Sequence, residues 1–273
     1  MLRIAAIVLA GVSTPLLAQW LNYPDSRTPR TREGKPNLSA PAPHVNGKPD
    51  LSGVWQADRT PLSEFSRVLG TGFTDVQVDL GDLTKHFVNV FWDVKPEDVP
   101  LRPEGAAIVQ QRAKTLTSFP PTNCLPSGLP GSLFFEFKMI QTPREIVVLP
   151  GTGDPPRQIY TDGRNLPNDP QPSWMGYTVG RWEGDTLAAD TIGFTEKSWL
   201  DALGHPRSES MRITERYRRR DFGHMDLEMT FDDPKYYTRP FTLKVGLHLI
   251  PDSDVLEYVC NENEKDRPHL ATR

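Results

Sequence analysis

The sequence predicts a mainly β fold, an antiparallel up-and-down barrel carrying a short helical insertion. Three observations point to it. From Leu133 onward the chain reads as a series of short alternating runs, each closed by a turn signal. Proline is abundant, 27 of 273 residues, about twice ordinary usage, and it interrupts long helices. A meander of nine or ten strands also leaves two unpaired edges, and closing the sheet removes them.

The elements follow in order. Residues 1–18 read as a secretory signal, with Arg3 as the positive leader, Ile4 to Leu17 as a short apolar stretch, and Ala18 as a small residue at the cut. Residues 19–50 form a polar, Pro-rich arm in which Gly34-Lys35-Pro36-Asn37-Leu38-Ser39 recurs as Gly47-Lys48-Pro49-Asp50-Leu51-Ser52. Two copies do not make a repeat architecture. Residues 51–273 are then one barrel domain, opened by Gly53-Val54-Trp55, with residues 60–125 as a helix and loop insertion. Pro103, followed by Glu104, Ala106, Ile108, Val109 and Ala113, fits a helix with proline in its first turn.

The later strands are Leu133 to Gln141, Glu145 to Leu149, and Arg157 to Thr161, the last ending at the hairpin-type pair Asp162-Gly163. Met175 to Trp182 and Thr186 to Thr191 flank Glu183-Gly184-Asp185. Met211 to Arg219 and His224 to Phe231 flank Asp221-Phe222-Gly223. Phe241 to Leu249 and Val255 to Cys260 flank Pro251-Asp252-Ser253-Asp254.

Charge and composition narrow the function classes. Lys plus Arg number 31 against 35 Asp plus Glu, a net charge of −4, which argues against a nucleic-acid partner. A hydrophobic fraction of 37% excludes a multi-span membrane protein, and no membrane span is expected after signal cleavage. An exported chain with only Cys124 and Cys260 either pairs them or carries two free thiols in an oxidising space. Neither lies in a CxxC or His-rich context, so a structural disulfide is expected. Closing so long a loop stabilises by about 4–5 kcal/mol in the chain-entropy model. The expected location is periplasmic or secreted.

Several phrases resemble those of a large family of secreted bacterial proteins, abundant in acidobacteria and some proteobacteria. They are Tyr160-Thr161-Asp162-Gly163-Arg164, Gly176 to Leu187 with its Gly180-Arg181-Trp182-Glu183-Gly184-Asp185 centre, Asp232-Asp233-Pro234-Lys235, and Glu257 to Asp266. The resemblance runs from about Gln19 and is weakest between Arg59 and Phe119. It implies export and a shared fold and supplies no site residues. Gly53-Val54-Trp55 also resembles the Gly-x-Trp opening of lipocalins, whose tryptophan plugs the closed end of the barrel.

Chemistry must therefore come from the residues. On Met211 to Arg219, Glu215 shares a face with Met211, Ile213 and Tyr217, an acid on an otherwise apolar face. Inside a barrel such a carboxylate either pairs with an arginine or acts as a desolvated acid/base. His205 lies in a long loop, Gly193 to Ser208, of the kind that carries function at barrel mouths, and is a candidate general base or a capping histidine. Trp199 in the same loop is a lid residue or simple packing. Tyr160, Trp174, Tyr177 and Tyr217 are candidates to line a pocket for an aromatic ligand, with Arg212 and Asp190 to orient it.

The run Arg216-Tyr217-Arg218-Arg219-Arg220 fits either a carboxylate-binding patch or a solvated strand end. His224, Asp226 and Glu228 share a strand face with His248 as their one tempting partner, and His224 also remains a ligand-binding candidate. A solvated face fits these better than a metal site, so neither a metal nor a cofactor is expected. No phosphate loop, Gly-x-Ser-x-Gly elbow or Ser-x-x-Lys is present. The expectation is a small-molecule-binding barrel with an apolar or aromatic partner. It would act as a cofactor-independent lyase or isomerase through Glu215 and His205, with a non-catalytic carrier or an envelope protein as alternatives.

Overall fold

The computed structural model describes residues 23–69, 83–114 and 118–262, so residues 1–18, expected from the sequence to be a secretory signal, lie outside them. In the arm, two-residue strands β1 (His44–Val45) and β2 (Lys48–Pro49) form a small hairpin. Nine further strands close into a barrel: β3 (Gly53–Ala57), β4 (Phe137–Gln141), β5 (Glu145–Pro150), β6 (Arg157–Tyr160), β7 (Tyr177–Glu183), β8 (Thr186–Ile192), β9 (Arg212–Arg219), β10 (His224–Asp232) and β11 (Phe241–Leu249). Sequence neighbours are sheet neighbours throughout, and β11 returns to β3 to complete the ring.

Two expectations need correction. The barrel is not wholly antiparallel, because β6 and β7 run parallel, with Ile159 opposite Thr178 and Tyr160 opposite Val179. An odd number of strands in a ring cannot alternate direction all the way round, so one neighbouring pair must be parallel. It falls where residues 161–176 are long enough to carry the chain back to the starting end. Asp162-Gly163 therefore opens this crossover instead of closing a hairpin. The second correction is at the end of the chain, where Val255 to Cys260 form no strand. That segment runs over the surface and is tied down by the Cys124–Cys260 disulfide and by Lys138 Nζ, 2.7 Å from Asp254 Oδ2.

The two ends of the barrel differ. Short turns and the N-terminal arm gather at one end. Trp55 is fully buried there and its Nε1–H donates to Leu51 O at 2.9 Å. The Arg219 guanidinium lies over the indole, 4.9 Å from the ring centroid, and donates to the carbonyls of Asp50, Asp221 and Phe222. Gly53 takes φ +139°, and a Cβ there would meet Leu249 Cδ1 at 2.5 Å, so glycine is required at the head of Gly-x-Trp.

The long loops gather at the other end, with helices α1 (Leu62–Leu69), α2 (Lys85–Val88) and α3 (Pro103–Arg112). Phe91, Phe231, Tyr237 and Phe241 stack beneath them with centroids 4.6–6.0 Å apart.

The interior is filled. Alternation sends Met225, Leu227, Met229 and Phe231 of β10, and Phe241, Leu243, Val245, Leu247 and Leu249 of β11, inward to join Trp55, Phe137, Met139, Ile146, Val148 and Ile159. Among the described residues no helix is long and apolar enough to cross a membrane.

One lid-end residue is expected to make the fold acid-sensitive. His86 is buried, its Nδ1 has no hydrogen-bond partner, and its other ring nitrogen faces Asp93 at 3.6 Å. Burial pushes its pKa below the ordinary 6.5, Lys85 adds to that, and Asp93 opposes it. The unfolded chain therefore takes up the proton first as pH falls. Stability present above about pH 6.5 is lost as the pH drops through that value toward the folded pKa. The urea midpoint is expected to fall between about pH 7.5 and pH 5. His86→Leu should flatten that slope, and an unchanged slope would show that His86 is not its source.

Candidate functional site

The sequence-marked residues do not converge. Glu215 and Tyr217 point into the barrel. Glu215 is fully buried; Arg157 Nη1 donates to its Oε1 at 2.9 Å, Arg157 Nη2 pairs with Oε2, and Tyr217 Oη donates to Oε1 at 2.7 Å. Arg157 also reaches Thr178 Oγ1 at 3.2 Å and Thr191 Oγ1 at 2.9 Å, so the charge pair is saturated by its neighbours. Burial works against the arginine's charge, but the Glu215 carboxylate outweighs it and holds Arg157 above its ordinary pKa. Burial, with Glu215 beside it, pushes the Tyr217 phenol well above its usual value. Of the two roles open to Glu215, this geometry is that of the internal ion pair.

Other marked residues lie on the outer wall or at its ends. Asp190 accepts from Thr214 Oγ1 at 2.7 Å and pairs with Arg181 at 2.9 Å and Arg212 at 3.5 Å, a solvated network on β7–β9. Tyr177 is exposed. Tyr160 donates to Gln158 Oε1 at 2.9 Å and is covered by the Arg164 guanidinium. His224 sits opposite His248 near the tight-turn end. Each histidine is tied to its own acid, His224 to Asp221 at 2.7 Å and His248 to Asp58 at 3.1 Å. Among the described residues no group of three His, Cys, Asp or Glu converges as a metal site would require.

The lid end gathers the remaining chemistry. The loop after β8 folds back on itself, with Trp199 bridging Pro206 and Leu200 N–H donating to His205 O. Alternation turns Trp199 and Pro206 one way and Leu200 and His205 the other. His205 is therefore nearly buried, edge-on to Phe91 at 4.9 Å between centroids. Its Nδ1 is 2.6 Å from Asp201 Oδ2, and Asp201 also accepts the backbone N–H groups of His205 and Val90. In the neutral ring this bond places the proton on Nδ1 and leaves Nε2 as the basic nitrogen.

On the opposite face of that loop is a hollow of about 410 Å³, lined by Ile108, Arg112, Glu196, Trp199, Arg207 and Tyr236 among others. Arg207 is almost fully buried and has no carboxylate partner within 4 Å among the described residues. It donates instead to Thr195 O at 3.2 Å, Leu129 O at 2.7 Å and Trp174 O at 2.9 Å, and lies over the Phe194 ring. Gly128 makes that position available, since a Cβ there would lie 2.9 Å from Arg207 Nη2 and 2.8 Å from Trp174 O. Arg112 donates to Gly204 O at 3.0 Å and covers Trp199 at 4.6 Å. Burial lowers Arg207 to about 9 and Arg112 to about 10. Trp174 enters this site through its carbonyl, and His205 lies on the far side of the loop.

Sequence reading missed both arginines. Arg112 is the last residue of α3 and Arg207 lies in a loop two residues after His205, and an isolated arginine in either place carries no sequence signal of its own. The protein-family models, the curated proteins and the solved structures each contain no match to this chain.

Proposed function

We propose that the protein is an exported small-molecule-binding barrel whose ligand site is the hollow at the lid end. The observation that carries this reading is the contrast between a barrel interior filled by side chains and an open hollow walled by Trp199, Tyr236, Arg112 and Arg207. Pockets of about 300–1,000 Å³ with a few convergent polar groups are the usual size for small ligands. Export is supported by the leader-like residues 1–18 and by the disulfide. The test is a thermal-shift screen of small apolar and aromatic compounds on the processed, oxidised protein. Ligands that raise the melting temperature are expected to lose that effect in Trp199→Ala. Retention of the effect in that variant would move the site elsewhere.

A second reading, a lyase or isomerase using His205 as general base, draws its support from the 2.6 Å Asp201–His205 bond. On a ligand from the same screen whose effect persists in Trp199→Ala, and which therefore binds outside the hollow, His205→Ala should lower turnover by about 10²–10⁴-fold. Full turnover in that variant would take the general-base role away from His205, and absence of any turnover in the wild type would leave the protein as a carrier.

A further inference from the structure

The hollow at the lid end holds an imbalance of charge. Arg112 and Arg207 both line it, and its one carboxylate, Glu196, is engaged by Lys235 at 2.6 Å. Each guanidinium carries five N–H donors in a rigid fork. Arg207 commits its three nitrogens to backbone carbonyls, which supply partial charge and no counter-ion. Arg112 commits one donor, to Gly204 O. The acid whose charge acts on Arg207 is Asp154, which makes no ion-pair contact with it and accepts the Gly128 N–H at 2.7 Å and the Thr152 hydroxyl at 2.7 Å. Asp154 acts on Arg207, and Asp201 and Glu196 on Arg112, from beyond ion-pair contact; a buried cation with no carboxylate in contact keeps part of its burial cost, and an anion arriving in the hollow would offset it.

We propose that the hollow binds a small organic carboxylate, its charged end directed to Arg112 and Arg207 and its apolar body against Trp199, Tyr236 and Ile108. This rests on the hollow being the ligand site and adds to it the chemical class of the ligand. An arginine fork matches a carboxylate bidentately, which a lysine cannot do. Trp199, Tyr236 and Ile108 give an otherwise polar lining an apolar part, which one ring or a short chain can cover and a bare inorganic ion cannot. Burial disfavours the charge on both guanidiniums, and a bound anion offsets that penalty.

The experiment titrates the full processed protein with benzoate, with its uncharged isostere benzamide, and with inorganic phosphate. Calorimetry gives the affinity, and the indole N–H resonance of Trp199 in the NMR spectrum gives the location. Benzoate is expected to bind at least about tenfold more tightly than benzamide and to shift the Trp199 signal. Arg112→Gln should remove that advantage, and Arg112→Lys should restore part of it. Arg112 makes a single backbone hydrogen bond, so these variants test the site without disturbing the deeply packed Arg207.

Equal binding of benzoate and benzamide at Trp199 would overturn the carboxylate assignment and leave the ligand site standing. Phosphate binding there without benzoate would overturn the organic class. A Trp199 signal unmoved by all three probes would overturn both the assignment and the site.

Discussion

Glu215→Leu is expected to lower the unfolding free energy by about 3–5 kcal/mol, because it strands Arg157 without its carboxylate inside the barrel. Tyr217 loses its acceptor at the same time. Thr178 and Thr191 can still accept from the guanidinium, yet neither carries charge. The companion variant, Arg157→Met with Glu215→Leu, should recover most of that loss. Replacing both buried charges with apolar residues of similar volume is often neutral or stabilising. Urea unfolding of the two variants beside the wild type measures this. Recovery in the double variant would assign Glu215 to the internal ion pair. A loss below about 1 kcal/mol in Glu215→Leu would show that the pair is not desolvated and would reopen a proton-transfer role.

Opening the Cys124–Cys260 bridge, whose partners are 136 residues apart, has the next largest expected effect. The bridge ties the C-terminal segment beyond β11 to the loop after Pro120–Asn123 and closes almost the entire barrel between its ends. Cys124→Ser with Cys260→Ser is expected to lower stability by about 2–5 kcal/mol, mainly by freeing the unfolded chain. The barrel strands themselves should persist, since the segment after Leu249 adds no strand to the ring. Far-ultraviolet circular dichroism would then stay close to that of the wild type while the denaturant midpoint falls. An unchanged midpoint would show that the bridge constrains only the surface tail.

Most of the barrel was legible because inward and outward residues alternate so cleanly on β9, β10 and β11. Glu215 stood out for the same reason. Its partner was not singled out, although Arg157 shares a face with Ile159 on β6 and so points inward. The parallel β6–β7 step was not legible, because local turn chemistry at Asp162-Gly163 signals a hairpin, whereas the odd strand count of a closed ring decides the direction.

The lid-end hollow was hidden for a different reason. Arg112, the loop that carries Trp199 and Arg207, and Tyr236 come from three separate stretches of chain, and only the closed topology brings them together. The same topology scattered Tyr160, Tyr177, Asp190, Arg212 and His224 over the outer wall and its ends. Single-strand patterning tells the face of a residue but not which end of the barrel it reaches.

The most direct measurement is a crystal structure of the processed protein taken from its native host with whatever small molecule it carries. Density for a small molecule against Trp199, Tyr236 and Arg112, with Glu215 still locked to Arg157 in a filled barrel, is the predicted result. A molecule lodged inside the barrel against Glu215, with the lid-end hollow collapsed, would contradict it.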